Sequence, residues 1–523
     1  MTITRRRFLD GVGRAGGSGA LYAVMQAMGL LAETPAQAEP VALAPGSGEG
    51  TSVVIIGAGI AGMTAAYELS KGGYAVTIVE ARDRAGGRVW TVRGGTRIEE
   101  TTGTVQTCRF DDGLYFNAGA SRIPSHHRQI LGYCKTFGVD LEIFIDANRN
   151  AFFQNDKILG GKPVRSRQLI NDSRSYMAEL LAKAIDRGAL DRELSAVDKE
   201  RMREFLTRFG RLDSDLRFRG SERSGFAVPP GAGDNPGSAN QPLELRLLLD
   251  AEFWTWKMQH EEHLVHQATL LQPVGGMDRI TAAFEQRVGH LIVSSAEVKR
   301  IDKTSNGVRV VYNDKRAGAE KAVDADYCIC TIPLPVLARI DADFSPPVKG
   351  AVSGVRYNHV GKLAWQAGRR FWEEDHHIYG GITWTEHEIE RFVYPSHGFH
   401  GGKGILVGAT NHGEAARAFA KLSPEERAAA ARLSGGRIHP GFEDEVSRPV
   451  SVAWRNIPHS LGGWAIWDVN GRRNAYQILN RPDGRIHFAG EHLSYLPGWQ
   501  EGAVVSAQKT VVELHRQAQS LSR

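Results

Sequence analysis

The chain has few cysteines, little excess charge and no long uninterrupted hydrophobic run. Four cysteines among 523 residues are too few for a disulfide-stapled scaffold. The 64 basic and 59 acidic side chains leave a formal charge of only +5, which gives no case for nucleic acid binding. No segment approaches the roughly 18 consecutive apolar residues that a membrane span requires, so we expect no membrane anchor.

Size and composition indicate a globular protein of more than one domain. Hydrophobic residues make up 42% of the chain and charged residues 24%, a balance that excludes disordered and fibrous classes. At 523 residues the chain is too long for one ordinary core, so we predict two or three domains.

The first 38 residues show the order of features that is typical of a twin-arginine export signal. T-R-R-R-F-L-D precedes a weakly apolar, glycine-rich run and then Ala36-Gln37-Ala38, which has the small-x-small form of a signal-peptidase site. We therefore predict a signal peptide over residues 1–38, a linker over residues 39–50 and a periplasmic or secreted mature protein. A disordered basic tail is the alternative.

A dinucleotide-binding pattern follows the linker. The apolar run S-V-V-I-I is continuous with the glycine turn G-A-G-I-A-G and then with a helical apolar spacing, which predicts a strand, a turn and a helix. Gly57 makes the turn, Gly59 allows close backbone approach to a pyrophosphate and Gly62 allows the helix to pack on the strand. A second predicted strand ends at Glu80, where a carboxylate can accept hydrogen bonds from ribose hydroxyls.

Motifs near both ends of the chain resemble the flavin-dependent amine oxidase family. These are A-R-D-R-A-G-G-R-V-W-T at residues 81–91, with G-R-I-H-F-A-G-E-H and P-G-W-Q-E-G-A near the C-terminus. The central segments 271–280, 295–301 and 326–333 are also similar to family strands and turns. The resemblance implies an α/β fold with a Rossmann-like FAD-binding domain of the GG-doublet type, a mixed-sheet α+β substrate domain and a helical insertion.

The same resemblance implies the domain boundaries and the cofactor residues. The expected FAD-binding domain comprises residues 51–123, 268–349 and 471–519, the helical insertion residues 124–267 with a mobile loop at 219–242, and the substrate-binding domain residues 350–470. FAD should be non-covalent, since no cysteine lies between Gly490 and Gly498. The expected cofactor-binding residues are Gly57, Gly59, Ile60, Ala61, Gly62, Glu80, Ala81, Arg82, Gly86, Gly87, Arg88, Gly119, Ala120, Ser121, Arg122, Val298, Gly490, Glu491, Gly498, Trp499, Gln500 and Ala503.

The stretch A-G-A-S-R-I-P, which contains Arg122, resembles the L-amino acid oxidase branch of the family. There the resemblance implies that Arg122 binds the substrate α-carboxylate, a contact that suits the planar fork of a guanidinium. Lys362 matches the family lysine that holds a water at flavin N5. A structural ion pair is the alternative for Arg122, and a solvated position on an edge strand is the alternative for Lys362.

Further substrate-binding positions follow from the same resemblance. Gly498, Trp499 and Trp464 should form the wall of the substrate cavity. Ala409 corresponds to a position where relatives often have a carboxylate-binding tyrosine, so Thr410 or Tyr394 are candidates to replace it. His359 is one candidate for the group that deprotonates the substrate amine, and water is another.

The function that the resemblance implies is FAD-dependent oxidation of an L-amino acid by oxygen. Hydride transfer from Cα to flavin N5 would give an imino acid, which hydrolyses to a 2-oxo acid and ammonia, and hydrogen peroxide is the second product. The alternatives are an oxidase of primary amines or polyamines, an amide-forming amino acid 2-monooxygenase and a flavin electron-transfer dehydrogenase. Family members are often dimers, so we expect a homodimer.

The remaining chain offers one candidate metal motif and a helical segment. In H-E-E-H-L-V-H, at residues 260–266, the histidines are three positions apart rather than four, so we predict a solvated or pocket-facing helix and no metal. Residues 165–215 show helical spacing and are expected to cap the active site. Residues 219–242 are expected to form a mobile loop that could act as a lid.

Overall fold

The computed structural model describes residues 41–157, 159–250 and 257–521. The predicted signal peptide therefore lies outside the described residues. The described part of the predicted linker begins at Val41, which is buried in the core of the first domain. None of the helices in the described ranges combines the length and apolar character that a membrane span needs.

A five-stranded parallel sheet forms the centre of the first domain. Its inner strands Ser52–Ile56 and Tyr327–Cys330 are short, apolar and buried on both faces, as parallel sheets require. Helices pack on one face, and a second apolar cluster containing Cys328 and Cys330 covers the other. In spatial order the strands are Ile292–Val293, Ala75–Val79, Ser52–Ile56, Tyr327–Cys330 and Ile486–Phe488.

Three helices cover the first face of this sheet and carry much of its core. They are Ile60–Lys71, Asp278–Val288 and Gln500–Leu521. Their apolar residues join those of Ser52–Ile56 in one buried cluster. A four-stranded sheet flanks the domain, in the order Ala319–Ala325, Val308–Asp314, Ala296–Lys303 and Asp341–Ala342.

A seven-stranded mixed sheet forms the second domain. One face packs on a large aromatic core, which includes Trp365, Trp372 and Phe442, and the opposite face borders the cavity described below. All neighbouring strands are antiparallel except Phe152–Gln154 and Gly381–Thr385. The strand order is Val164–Arg165, Phe152–Gln154, Gly381–Thr385, Arg391–Tyr394, Gly404–His412, Val360–Ala367 and Val446–Ala453.

The predicted helical insertion is helical only in part. Helices Arg128–Phe137, Ser166–Asp186, Ala196–Gly210 and Leu245–Asp250 do lie within residues 124–267. Strands Phe152–Gln154 and Val164–Arg165 also lie there, and they extend the seven-stranded sheet. The segment 219–242, predicted as a loop, contains a 3₁₀ turn at Glu222–Ser224 and a hairpin of Phe226–Val228 with Ser238–Ala239.

The other strands and helices of the described residues lie outside these three sheets. The remaining strands pair in small sheets: Thr91–Arg93 with Tyr115–Asn117, Arg97–Glu99 with Val105–Thr107, Arg356–Tyr357 with Ala465–Ile466, and Leu270–Pro273 between Ile123–Pro124 and Leu141–Phe144. The remaining α-helices are Leu334–Leu337, Pro346–Ser353, Phe371–Glu374, Gly413–Phe419, Pro424–Ile438, Phe442–Glu445, Val469–Arg473 and Ala475–Leu479.

Candidate active site

A cavity of about 1030 Å³ extends from the glycine turn of the first domain to the seven-stranded sheet of the second. The helices Ser166–Asp186 and Ala196–Gly210, expected to cap the site, contribute no lining residue. Their apolar residues form a separate cluster instead. The predicted cofactor residues all line the cavity except Gly62.

The glycine turn has the geometry that the sequence predicted for it. Gly57 has φ +103°, which disfavours a side chain, and a Cβ on Gly59 would meet no atom within 4 Å, so the backbone there is open toward the cavity. A Cβ on Gly62 would lie 1.9 Å from the Gly57 carbonyl oxygen. Gly62 therefore permits close packing of the helix on the turn and does not line the cavity.

Glu80 is fixed at the carboxyl end of its strand. Its Oε2 accepts a hydrogen bond from the Ala58 amide and its Oε1 accepts one from the Arg82 amide, each at 2.8 Å. The side chain is buried and borders the cavity. A carboxylate held in this way has lone pairs left to accept bonds from a ribose.

Arg82 and Arg88 are already engaged by the protein. Arg88 Nη1 donates to Glu491 Oε1 at 2.7 Å, and Arg82 Nη2 donates to the Pro458 carbonyl at 2.6 Å. Glu491 Oε2 in turn accepts a bond from the Gly498 amide at 3.1 Å. The contacts of Glu491 connect the motif at residues 81–91 with the C-terminal motif. The sequence indicated this connection only through the family resemblance.

The long C-terminal helix begins at the cavity. Gln500 is its first residue, and the unpaired amides of its first turn favour negative charge. Gln500 Oε1 is buried and has no hydrogen-bond partner among the described residues. An open glycine turn, a fixed carboxylate, a helix N-terminus and an unpartnered polar atom together fit the FAD that the resemblance implies.

Arg122 lies in the same cavity, between two aromatic rings. Its guanidinium carbon is 5.6 Å from the centre of the Trp499 ring and 5.9 Å from that of Phe144. Its Nη2 is 2.8 Å from His266 Nδ1, and its Nε is 3.5 Å from Asp146 Oδ2. Arg122 therefore has both an ion-pair partner and a position on the cavity wall, two roles that the sequence presented as alternatives.

Asp146 connects Arg122 to two histidines. Its Oδ2 is 3.1 Å from His260 Nε2 and 3.0 Å from His266 Nδ1. Burial opposes ionisation, but the charge of Arg122 and the two histidine hydrogen bonds outweigh it and hold the pKa of Asp146 well below its usual range. Burial also lowers the pKa of His266 to about 4, so this histidine is neutral at pH 7.

The motif at residues 260–266 does not form the predicted helix. It forms two 3₁₀ turns, His260–Glu262 and Leu264–His266, which place both histidines beside Asp146. These three residues have ligand atoms within 4.8 Å of one another, as a metal site would need. The Arg122 guanidinium, however, lies against the His266 nitrogen, so a metal would have to displace a cation. The contacts are those of a hydrogen-bonded ion pair.

Lys362 lies on an interior strand rather than on the edge strand that was its alternative. Its strand, Val360–Ala367, runs between two neighbours, and Nζ donates to the carbonyl oxygens of Asn117 at 3.0 Å and Gly119 at 2.6 Å. Burial, with Arg122 and Arg391 nearby, lowers the pKa of Lys362 to about 7. An ammonium has three donors, so one remains for a ligand or a water.

The aromatic residues predicted to contact substrate all border the cavity, but the hydroxyl of Tyr394 is engaged elsewhere. Trp464 and Trp499 line the cavity, and a Cβ on Gly498 would lie 3.1 Å from the Trp464 ring. Tyr394 borders the cavity, but its hydroxyl is 2.8 Å from Thr383 Oγ1 and 2.8 Å from His439 Nε2 in the buried core. The Tyr394 hydroxyl is therefore already engaged within the core.

Ala409 does not line the cavity because its strand contains a bulge. Gly408 has no partner on Val360–Ala367, so the register shifts there, and Ala409 faces the aromatic core. Thr410 then faces the cavity in its place, and its buried Oγ1 has no partner among the described residues. A β-bulge reverses the facing of all the side chains that follow it, which a sequence alignment alone does not reveal.

His359 and Arg391 differ from expectation in opposite ways. His359, a candidate base, is not a lining residue, and its Nε2 lies 3.1 Å from Arg455 Nη1. Arg391 was not predicted, yet it lines the cavity and is only 8% exposed. The alternation in R-F-V-Y was the available signal, since it places Arg391 and Val393 on one face of a strand whose other face is core.

Comparisons with known proteins agree with this geometry. The family model described as flavin containing amine oxidoreductase matches residues 60–515. An L-amino-acid oxidase of Siganus canaliculatus is 28% identical over 489 residues, covering 89% of this chain and 85% of the relative. An L-amino acid oxidase of Bothrops pictus is 26% identical, covering 90% of this chain and 91% of the relative.

Solved structures share the fold at lower identity. Wild-type putrescine oxidase bound to putrescine has a TM-score of 0.59 at 21% identity, covering 90% of this chain and 99% of that one. Cyclohexylamine oxidase from Brevibacterium oxydans IH-35A has a TM-score of 0.60 at 17% identity, with the same coverage. The cofactor is FAD, and the enzyme is an oxidase that acts on a small-molecule substrate with oxygen. The chain belongs to the flavin-containing amine oxidoreductase family.

Proposed function

We propose that this enzyme oxidises L-amino acids to 2-oxo acids and ammonia and releases hydrogen peroxide. The observation that carries the proposal is the position of Arg122, whose guanidinium lies in the cavity between Trp499 and Phe144. The names of the relatives from Siganus canaliculatus and Bothrops pictus support it.

Arg122 retains hydrogen-bonding capacity for a carboxylate. A guanidinium has five N–H donors, and among the described residues at most one of those of Arg122, on Nη2, is used, in the tautomer in which His266 Nδ1 accepts. Asp146, at 3.5 Å from Nε, holds one side of the group in place. Donors on the remaining side can bind a carboxylate through two parallel bonds, which would fix the orientation of the substrate Cα.

When bound, FAD supplies the two-electron oxidation of the substrate Cα–N bond. Glu80, the backbone at Val298 and the N-terminus of Gln500–Leu521 would hold it. The aromatic rings of Trp464 and Trp499 line the cavity and offer apolar surface to a substrate. Lys362 keeps one donor free toward the cavity, where it can hold a water for imine hydrolysis.

Oxidation of simple amines is the second candidate, and two observations favour it. Asp146 already supplies a counter-charge for Arg122, and the cavity-facing residue after the bulge is Thr410, not the carboxylate-binding tyrosine that relatives often have. Both observations are compatible with a cavity that binds substrates without a carboxylate. The ion pair of Arg122 would then be structural.

Peroxide release by the purified, FAD-loaded enzyme distinguishes the two candidates. Each L-amino acid is offered in air beside the amine that its decarboxylation would give. We expect turnover of amino acids and little turnover of the matched amines, and we expect Arg122→Gln to raise KM for amino acids far more than Arg122→Lys does. Turnover of the amines alone would overturn the proposal.

A further inference from the structure

Arg391 stands in a row of polar side chains on the cavity face of the seven-stranded sheet. Lys362 pairs directly with Thr410 on the next strand, and Arg391 lies on the strand beyond that one. Neighbouring strands are about 4.8 Å apart, so Arg391 begins about 10 Å from Lys362 across the sheet. All three residues line the cavity.

Arg391 has no carboxylate partner within 4.0 Å among the described residues. Its Nη2 lies 3.1 Å from each ring nitrogen of His412, and its guanidinium carbon lies 5.2 Å from the centre of the Trp384 ring. The adjacent Glu390 instead accepts from His412, both at the backbone amide and at Nδ1, each at 3.2 Å. Neither histidine nor tryptophan neutralises a guanidinium.

The two other arginines that are buried among the described residues differ from Arg391 in this respect. Arg370 is paired with Glu373 at 2.5 Å, and Arg427 is paired with Glu100. Removing a charge from water is costly unless an opposite charge and hydrogen bonds compensate it. Glu390 and Asp146 act on Arg391 only from beyond ion-pair distance. A guanidinium on the wall of a large cavity with no carboxylate in direct contact is therefore suited to an anionic group of a ligand.

Thr410 adds a second, independent feature at the same place. Its side chain is 6% exposed, faces the cavity and has a buried Oγ1 without a hydrogen-bond partner among the described residues. Buried hydroxyls are nearly always hydrogen-bonded in folded proteins. A carboxylate beside Thr410 and Arg391 would accept a bond from each.

We propose that Arg391 and Thr410 form a second carboxylate subsite and that the preferred substrates are L-amino acids with an acidic side chain. This inference rests on the proposed function, because Arg122 takes the α-carboxylate while Arg391 takes the carboxylate of the side chain. The reaction itself is unchanged. In the alternative, Arg391 binds the α-carboxylate of every substrate, and the test below distinguishes the two roles.

The test compares isosteric substrates that differ in charge. Values of kcat/KM are measured for L-glutamate against L-glutamine and for L-aspartate against L-asparagine. We expect the wild-type enzyme to prefer the acidic member of at least one pair by about tenfold or more. Arg391→Gln should lower kcat/KM for the acidic member more than for the neutral member, so that the preference is lost, and Arg391→Lys should retain part of it.

Inhibition gives a readout that needs no turnover of the test compound. Glutarate and pentanoate have the same chain length, but only glutarate carries two carboxylates. We expect glutarate to inhibit about tenfold more strongly than pentanoate and to lose this advantage in Arg391→Gln. Thr410→Val keeps the shape of the side chain and should weaken inhibition by glutarate but not inhibition by pentanoate. This variant provides the same test if Arg391→Gln does not fold.

The outcomes separate this inference from the proposed function. The second subsite alone is overturned if the enzyme oxidises neutral amino acids without preferring acidic ones and if glutarate and pentanoate inhibit equally. An equal loss of kcat/KM for all amino acids in Arg391→Gln places the α-carboxylate there and also overturns it. Turnover of amines alone overturns the proposed function.

Arg201→Gln, at an exposed position, is the control for loss of a positive charge. The melting temperature and flavin absorbance of each variant are compared with those of the wild-type enzyme.

Discussion

The Asp146 carboxylate lies 3.5 Å from Arg122 Nε, and the same oxygen contacts two histidines. His266 Nδ1 is near both Asp146 Oδ2 and Arg122 Nη2. One ring nitrogen either carries a proton or accepts one, so only one of these two contacts is a hydrogen bond in a given tautomer. Asp146 and His266 thus hold Arg122 in place without using all of its donors.

Replacement of Asp146 should impair carboxylate binding through Arg122. In Asp146→Ala, Arg122 loses the group that orients it, so we expect KM for L-amino acids to rise by about tenfold or more, with a smaller effect on kcat. Asp146→Asn keeps an acceptor for one histidine and should have an intermediate KM. Steady-state kinetics on the three enzymes give the comparison.

A merely structural role for Asp146 would give a different pattern. General loss of structure lowers the amount of active enzyme, and with it kcat, while KM of the surviving enzyme stays near the wild-type value. Asp198→Ala, at an exposed position in the helix Ala196–Gly210, is the control. A KM that is unchanged in Asp146→Ala would contradict the positioning role.

The cofactor half of the site was predictable from sequence because its parts are local. The glycine turn, the strand that follows and Glu80 are continuous in the chain, and each has a backbone reason for its residue type. The contact of Asp146 with Arg122 joins residues that are 24 positions apart, with the helix Arg128–Phe137 and the strand Leu141–Phe144 between them. Nothing in the sequence around Asp146 indicates its partner.

The substrate half was predicted less well, and the reason is strand facing. Periodicity assigns a side chain to one face of a strand only while the ladder is regular. The bulge at Gly408 exchanges the faces of Ala409 and Thr410. Arg391 could be assigned to a face by alternation, but whether that face borders a cavity or solvent depends on the other domain.

Lys362 should control the reaction of the reduced enzyme with oxygen. A cation beside the site of oxygen reduction stabilises the developing negative charge. We expect Lys362→Met to slow reoxidation by about a hundredfold while anaerobic reduction by substrate changes little. Stopped-flow absorbance measures the two half-reactions separately, and Lys349→Met, at an exposed position, is the control.

The pH dependence of reoxidation provides a second test of Lys362. Burial, with Arg122 and Arg391 nearby, lowers the pKa of this amine to about 7. The ammonium is charged below that pH and neutral above it, so the reoxidation rate should fall as pH rises through about 7. A rate with the same pH dependence in Lys362→Met would assign the titration to another group.

FAD should be released intact when the protein is denatured. No cysteine lies between Gly490 and Gly498, and the four cysteines are buried in the apolar cores. After precipitation with acid, we expect the yellow colour and the flavin fluorescence to remain in the supernatant. Flavin that stays with the precipitated protein would contradict non-covalent binding.

Glu80 should contribute to the retention of this cofactor. Glu80→Gln replaces a carboxylate by an amide of the same shape, so its hydrogen bonds to ribose hydroxyls lose their charge-assisted strength. We expect FAD affinity to fall by about tenfold, measured from the absorbance ratio of flavin to protein after dialysis. Glu513→Gln, on the outer part of the C-terminal helix, should not change that ratio.

The buried pair of Arg427 and Glu100 should be essential for stability although it lies outside the cavity. The side chains of both are 1% exposed, Nη2 donates to Oε2 at 2.9 Å and Asn456 donates to the same oxygen. Glu100→Ala leaves a buried guanidinium without its counter-charge, so we expect the free energy of unfolding to fall by about 3–5 kcal/mol. Removal of the exposed pair partner in Glu204→Ala should cost at most about 1 kcal/mol, since Arg208 is solvated.

Chemical denaturation with FAD in excess measures the free energy of unfolding of both variants. Equal losses of that free energy would show that burial of the pair does not matter. A double variant, Glu100→Leu with Arg427→Met, should recover part of the loss, because it removes both charges together.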